Sequence, residues 1–251
     1  MPQQPCIEPS EADAGNQCQP GSDPVAVEYP PVALQPGHTL LYQVLSGSHA
    51  TGLVTETSDF DWRGVYQAPT VAFLGLTQPK ETIEIEPDQT YWELGHFARL
   101  CLRGNPNIME LLWIDERVTS PVMEEIRAMR TSFFTTSMVA AYLGWVTKER
   151  RILANPEYED KLTSKRGSHL VRLLLTLQDT FTTGQLHVVL ADKERDLCMA
   201  IKRGEKSKTE VLYTLDMLKE RCIILAADSG WPKPDPQPLE DIVIRARRNA
   251  I

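Results

Sequence analysis

Residues 46–64 read SGSHATGLVTETSDFDWRG, and the rest of the chain is best read outward from them. A small-residue turn, Gly47-Ser48, follows the apolar run TLLYQVL of residues 39–45. Eleven positions beyond Ser48 stands Asp59, then Asp61, then Arg63. Residues 59–66 alternate polar with apolar side chains, which predicts a strand. On a strand, positions two apart share a face, so Asp59 and Asp61 would stand side by side. Two such carboxylates repel unless a cation lies between them. Magnesium suits hard oxygen ligands and leaves coordination positions open for phosphate and water. Glycine at 47 lets the backbone approach a phosphate closely, and Ser48 offers an N–H and a hydroxyl.

On both sides of this segment the pattern is mixed, then helical. Residues 39–45 predict a short buried element, strand or helix end. Residues 82–86 alternate before Pro87 interrupts them. Leu94, Phe97, Leu100 and Cys101 fall on one helical face, and Thr90 with Glu93 is spaced as a capping box. Gly104-Asn105-Pro106 ends that helix. Further helices are expected over 108–113, 121–130, 131–153, 166–181, 192–202 and 208–227, with a basic helix at the end of the chain. Residues 186–190 predict a short strand. The expected fold class is α+β: a small mixed β-sheet core over residues 38–115 with flanking helices, then a mostly helical part over 116–251. No repeat of 20–50 residues is present.

Composition narrows the function. The 251 residues hold 34 acids and 26 bases, a net charge of −8. A protein basic over its whole surface, built to bind duplex nucleic acid without sequence preference, is excluded, though a local basic groove is not. Five of the acids (Glu8, Glu11, Asp13, Asp23, Glu28), eight of the 18 prolines and none of the bases fall within residues 1–37. That segment reads as a disordered acidic tail, since it cannot bury enough apolar surface to offset its ordering entropy. The five cysteines form no C-x-x-C pair, so neither a disulfide framework nor a disulfide-linked partner is expected. No secretory leader pattern opens the chain, and its longest apolar stretch is about half of the ~18 residues that span a bilayer. A cytoplasmic protein without a membrane partner is the expectation.

The glycine–serine turn followed by an acidic D-x-D strand resembles the signature of the DNA polymerase β-like nucleotidyltransferase superfamily. Four blocks in order, SGSHATGLVTETSDFDWRGVY, LGHFARLCLRGNPNIMELLW, KRGSHLVRLLLTLQDTFTTGQLHV and LCMAIKRGE, are similar to one family within it. This is the RNA repair pathway DNA polymerase β family, and the likeness runs from about Leu40 to Val243. His96, where a lysine is expected, and Gly144-Trp145, where Gly-Tyr is more usual, depart from its pattern without touching the acids.

The resemblance implies a nucleotidyltransferase core and an enzyme that moves an NMP from an NTP to a hydroxyl, releasing pyrophosphate. Asp59 and Asp61 would hold the metal, two Mg2+ ions with Mn2+ able to substitute. A third carboxylate is carried to Asp88, with Glu86 and Glu84 as rivals on the polar face of the preceding run. Gly47 and Ser48 would cradle phosphate. Arg63 would either pair with the acids or hold a phosphate, and His49 would either touch phosphate or face solvent. Lys165, His169 and Arg172 share a helix face and would clamp the triphosphate, while Leu170, Leu173, Leu174 and Leu177 face the core. Asn105 or Glu110 either organises the nucleotide pocket or simply shapes a turn. The acceptor implied is an RNA end. A protein hydroxyl, as in antitoxin-type adenylylation, and a non-catalytic nucleotide-binding module are the alternatives. No aromatic stacking platform or Arg-rich arm stands out in the sequence.

Overall fold

The structure is a computed structural model that describes residues 29–85, 88–115, 117–157 and 160–250. The acidic segment up to residue 28, and Glu86 with Pro87, lie outside the described residues.

Thr39–Leu45 forms strand β1, and its apolar run is buried along most of its length. The chain then turns through a short helix, α1 (Gly47–Thr51), and a loop into β2 (Trp62–Gln67), which lies antiparallel to β1. The strand expected from residue 59 therefore starts only at Trp62. Asp59 and Asp61 sit on the approach to it, just before the β1–β2 ladder begins. β3 (Thr82–Ile85) and β4 (Gln89–Glu93) follow, with β4 parallel to β2. Thr90 lies inside β4 and cannot cap the next helix. Glu93 does so instead, accepting from the N–H of Gly95 at 2.7 Å.

Helix α2 (Leu94–Leu102) buries Leu94, Phe97 and Cys101, as its periodicity predicts. Gly104 then makes a turn at φ +64°; a Cβ there would lie 2.2 Å from the Cα of Met138. Only glycine permits both that conformation and that approach. Asn105 caps α3 (Pro106–Leu111), and β5 (Arg117–Thr119) closes the far edge of the sheet against β1. The sheet is mixed, in the order β3-β4-β2-β1-β5. Tyr42, in its middle, donates its hydroxyl hydrogen to the carbonyl of Leu111 at 2.5 Å and so ties α3 to the sheet.

The remainder is helical: α4 (Pro121–Ala128), α5 (Thr136–Leu153), α6 (Asp160–Thr183), α7 (Asp192–Lys202), α8 (Lys208–Asp228) and α9 (Gln237–Arg248). The helix expected from residue 131 is split, because a 3-10 turn over Arg130–Phe133 precedes α5. Helix α6 packs on α5, α7 and α8. Its Leu170, Leu173, Leu174 and Leu177 are buried, each worth about 1.5–3 kcal/mol of apolar transfer. Residues 186–190 bury Leu186, Val188 and Leu190 in alternation but pair with no strand, so no strand forms there. Alternate burial needs only an extended backbone; a strand also needs a ladder partner. Val32 and Leu34 lie against Tyr66, Ala68 and Tyr91, so packing reaches into the segment read as tail. No described helix is long and apolar enough to cross a membrane, and the described cysteines, Cys101, Cys198 and Cys222, are unpaired and buried.

Candidate active site

A cleft of about 770 Å³ lies between the sheet and helices α6 and α7. On its sheet side are Gly47, Ser48, Asp59, Asp61, Arg63, Thr90 and Trp92. On its helical side are Asn107, Glu110, Lys165, Ser168, His169, Arg172, Lys202 and Arg203.

The sheet wall is built around Asp61. Its carbonyl accepts from the N–H of Ser46 at 2.8 Å, which fixes the start of α1 against the start of β2. Gly47 has φ +64°, and a Cβ there would stand 2.1 Å from Asp61 Oδ2. A side chain at 47 would occupy the space the carboxylate needs, so glycine is required twice over. Asp61 Oδ1 accepts from Arg63 at 3.0 Å. Arg63 also donates to the carbonyls of Trp62 and Asp88, at 3.0 and 2.9 Å. Of its two expected roles, the structure shows the pairing with the acid. His49 is not among the residues lining the cleft and stacks on Phe60.

Asp88 is placed differently. Its backbone has φ +53°, its carbonyl accepts from Trp62 N at 2.9 Å as well as from Arg63, and its side chain is exposed. Asp88 is not among the residues lining the cleft, whereas Thr90 and Trp92, two and four positions on, are. Glu84 is exposed on β3. Among the described residues no three His, Cys, Asp or Glu side chains stand together as a metal site. Asp59 and Asp61 both line the cleft, and these are the carboxylates that could take a hard cation there together with phosphate and water oxygens.

The helical wall is neutralised from within. Arg172 and Glu110 are both buried and meet in a two-pronged ion pair at 2.6 and 3.2 Å. Burial works against the Arg172 charge, but Glu110 outweighs it, and the guanidinium stays firmly protonated. His169 Nδ1 lies 3.3 Å from Arg172. Burial, then the Arg172 charge, pull His169 down to about 3, so its ring is neutral at pH 7. The triad Lys165, His169 and Arg172 does share one face on one cleft. Its three members are an exposed cation, a neutral imidazole and a guanidinium already bound to an acid.

Lys202 was not singled out by sequence. It reaches into the cleft from the end of α7 and donates to the carbonyl of Leu53 at 2.5 Å. Burial and then Lys165 lower its pKa, with Asp61 acting in the opposite sense. Lys202 and Arg203 belong to the block LCMAIKRGE, but no periodicity links that block to residues 59–61. Glu110 was legible only as a choice between turn and pocket, and the structure shows it as the partner of Arg172.

A glycine-led turn is thus packed on Asp61 at the end of a five-stranded mixed sheet, with Asp59 lining the same cleft. The chain belongs to the RNA repair pathway DNA polymerase beta family, which it matches over residues 23–203. It is also 28% identical over 151 residues to the uncharacterized protein YcgL of Bacillus subtilis (strain 168). That match covers 57% of this chain and 56% of the relative, so the chain spans about half the length of the curated relative it matches. No solved structure matches it.

Proposed function

We propose that the protein transfers an NMP from an NTP to a hydroxyl acceptor, with magnesium held by Asp59 and Asp61. The observation that carries this reading is the tight packing of Gly47 on Asp61, which sets the glycine–serine turn directly against that acid. Bound there, magnesium would supply positive charge to the α-phosphate oxygens and to the attacking and leaving oxygens of an in-line displacement. Gly47 and Ser48 offer donors to the phosphates. Lys165 and Lys202 face the same cleft, and charge that grows on the leaving pyrophosphate would meet them. The acceptor hydroxyl gives up its proton to water, its oxygen bonds to the α-phosphorus, the bond from that phosphorus to the bridging oxygen breaks, and pyrophosphate departs. Trp92 lines the cleft wall, and the incoming base would meet it there. The acid pair suffices for this reading, and Asp88 enters it as a carbonyl that positions Arg63.

The acceptor we propose is an RNA end, in keeping with the family's description. The test is incubation with each labelled NTP and magnesium, in the presence of total RNA or of candidate proteins. Label on RNA that disappears with EDTA is the expected result. Label on a protein would favour antitoxin-type modification. Nucleotide binding without transfer and without metal dependence would reduce the protein to a binding module.

A further inference from the structure

Phe60 lies between the two acids of the cleft, yet it is not a cleft residue itself and is 57% exposed. Its ring is held flat. The His49 ring stacks on one face with centroids 4.4 Å apart and planes at 13°. The mount on both sides is fixed: His49 sits on α1, and the loop before Phe60 is closed by paired hydrogen bonds between Thr55 and Ser58 at 2.9 and 3.0 Å. The link from Ser46 N to Asp61 O then locks α1 to the residue after Phe60. Single exposed apolar side chains are ordinary on a protein surface. An exposed aromatic ring stacked on a second ring, carried by the residue between two cleft aspartates in sequence, is a different object.

We propose that the open face of Phe60, braced by His49, is a stacking platform for the terminal nucleobase of a single-stranded nucleic-acid acceptor. The proposal deepens the transfer reading and rests on it for the role of the bound strand. A flat π-face is the complement of a nucleobase, and stacking one base on an aromatic side chain is worth about 1–3 kcal/mol. The stack on His49 and the Thr55–Ser58 hydrogen bonds hold ring and loop in the free protein, which lowers the cost of immobilising them. In the transfer reading the incoming NTP would meet Trp92, which lines the cleft. Phe60, outside the lining but adjacent to both acids, is left for the strand whose terminal hydroxyl must reach them. Lys165, Lys202 and Arg203, which line the neighbouring cleft, supply the positive charge a strand needs near its phosphates in a chain of net charge −8.

The experiment measures binding of fluorescently labelled single-stranded oligoribonucleotides and oligodeoxyribonucleotides by anisotropy, without NTP. Magnesium-dependent binding of a fluorescent NTP is read in parallel. Phe60→Ala should weaken binding of the strand by roughly 5- to 150-fold, the equivalent of one lost stack. Phe60→Trp should preserve it, and Phe60→Leu, which keeps apolar surface without a π-face, should be as weak as alanine. NTP binding and thermal melting should not move in any of them. A leucine variant that binds the strand like the wild type overturns the platform, as does a wild-type protein that binds neither strand while labelling a protein. Phe60-dependent strand binding with no transfer from any NTP sinks the transfer reading and leaves the platform standing. A preference for the ribose strand identifies the source as RNA.

Discussion

Asp61 and Arg172 face one cleft from opposite sides, yet their charges are held in different ways. Asp61 is partly exposed and bound on one oxygen by an arginine that solvent also reaches, with Asp59 exposed beside it. Arg172 is buried and matched by an equally buried Glu110. The sheet wall therefore carries charge that a ligand can still use: Asp59 and Asp61 both line the cleft, and the cations that act on Asp61, Arg63 and Lys202, line it too. The helical wall has already satisfied its charge and acts as a scaffold, presenting Lys165 and a neutral His169 from a fixed helix. A residue type and a shared face do not define a role. What decides is whether the charge has an internal partner.

The contrast is broken most sharply at Asp61. Asp61→Ala, and likewise Asp59→Ala, should reduce NMP transfer on the order of 10³-fold or more, with melting in EDTA unchanged or slightly raised because repulsion is relieved. Full transfer by either variant would remove the acid pair from the reaction.

Glu110→Ala should do the reverse and act first on the fold. It leaves Arg172 charged and buried without a partner, at a cost of about 3–5 kcal/mol, read as a fall in melting temperature. Replacing both residues, Glu110→Leu with Arg172→Met, should recover most of that loss. If the single variant melts like the wild type, the pair is not structural and both side chains belong to the ligand.

Lys165→Ala should lower kcat/KM on the order of 10²-fold with little change in melting, since the leucine stripe of α6 is untouched. Alanine at Lys206 or Lys208, which bind Glu210 and the Asn155 carbonyl on the outer surface, should change almost nothing. Wild-type kinetics for Lys165→Ala would shift the phosphate cation to Lys202.

Asp88→Ala should leave transfer within a fewfold, because its carbonyl does the positioning and remains. A loss comparable to that of Asp61→Ala would return the third-carboxylate role to Asp88.

The smallest effect is on pH. His169 titrates near 3 in the folded protein and near 6.5 when unfolded, so between those values the unfolded chain binds a proton that the native one refuses. Its contribution to stability is present above about pH 6.5 and is lost as pH falls below it. His169→Gln should melt with a shallower dependence between pH 7 and 5 than the wild type. Parallel curves would show that the ring takes up a proton as readily in the native state as in the unfolded chain.

What the sequence determined by itself is local. The order of the Gly47-Ser48 turn, Asp59 and Asp61, the helical stripes, the leucine face of α6 and the limits of α7 all follow from spacing along the chain. Spacing fixes which side chains share a face, because strand and helix have fixed periods. What lies opposite a face is set by contacts far apart in sequence, and no period encodes those. Glu110 meets Arg172 across 62 residues, and Lys202 comes to the acids from the end of another helix. The start of β2 at Trp62 and the positive φ of Asp88 were likewise decided by the parallel pairing of β2 with β4, which sets where the ladder begins. Tertiary packing thus turned an expected basic face into one exposed cation, one neutral ring and one spent guanidinium, because burial and an internal counter-charge, not residue identity, fix what a titratable group can offer a ligand.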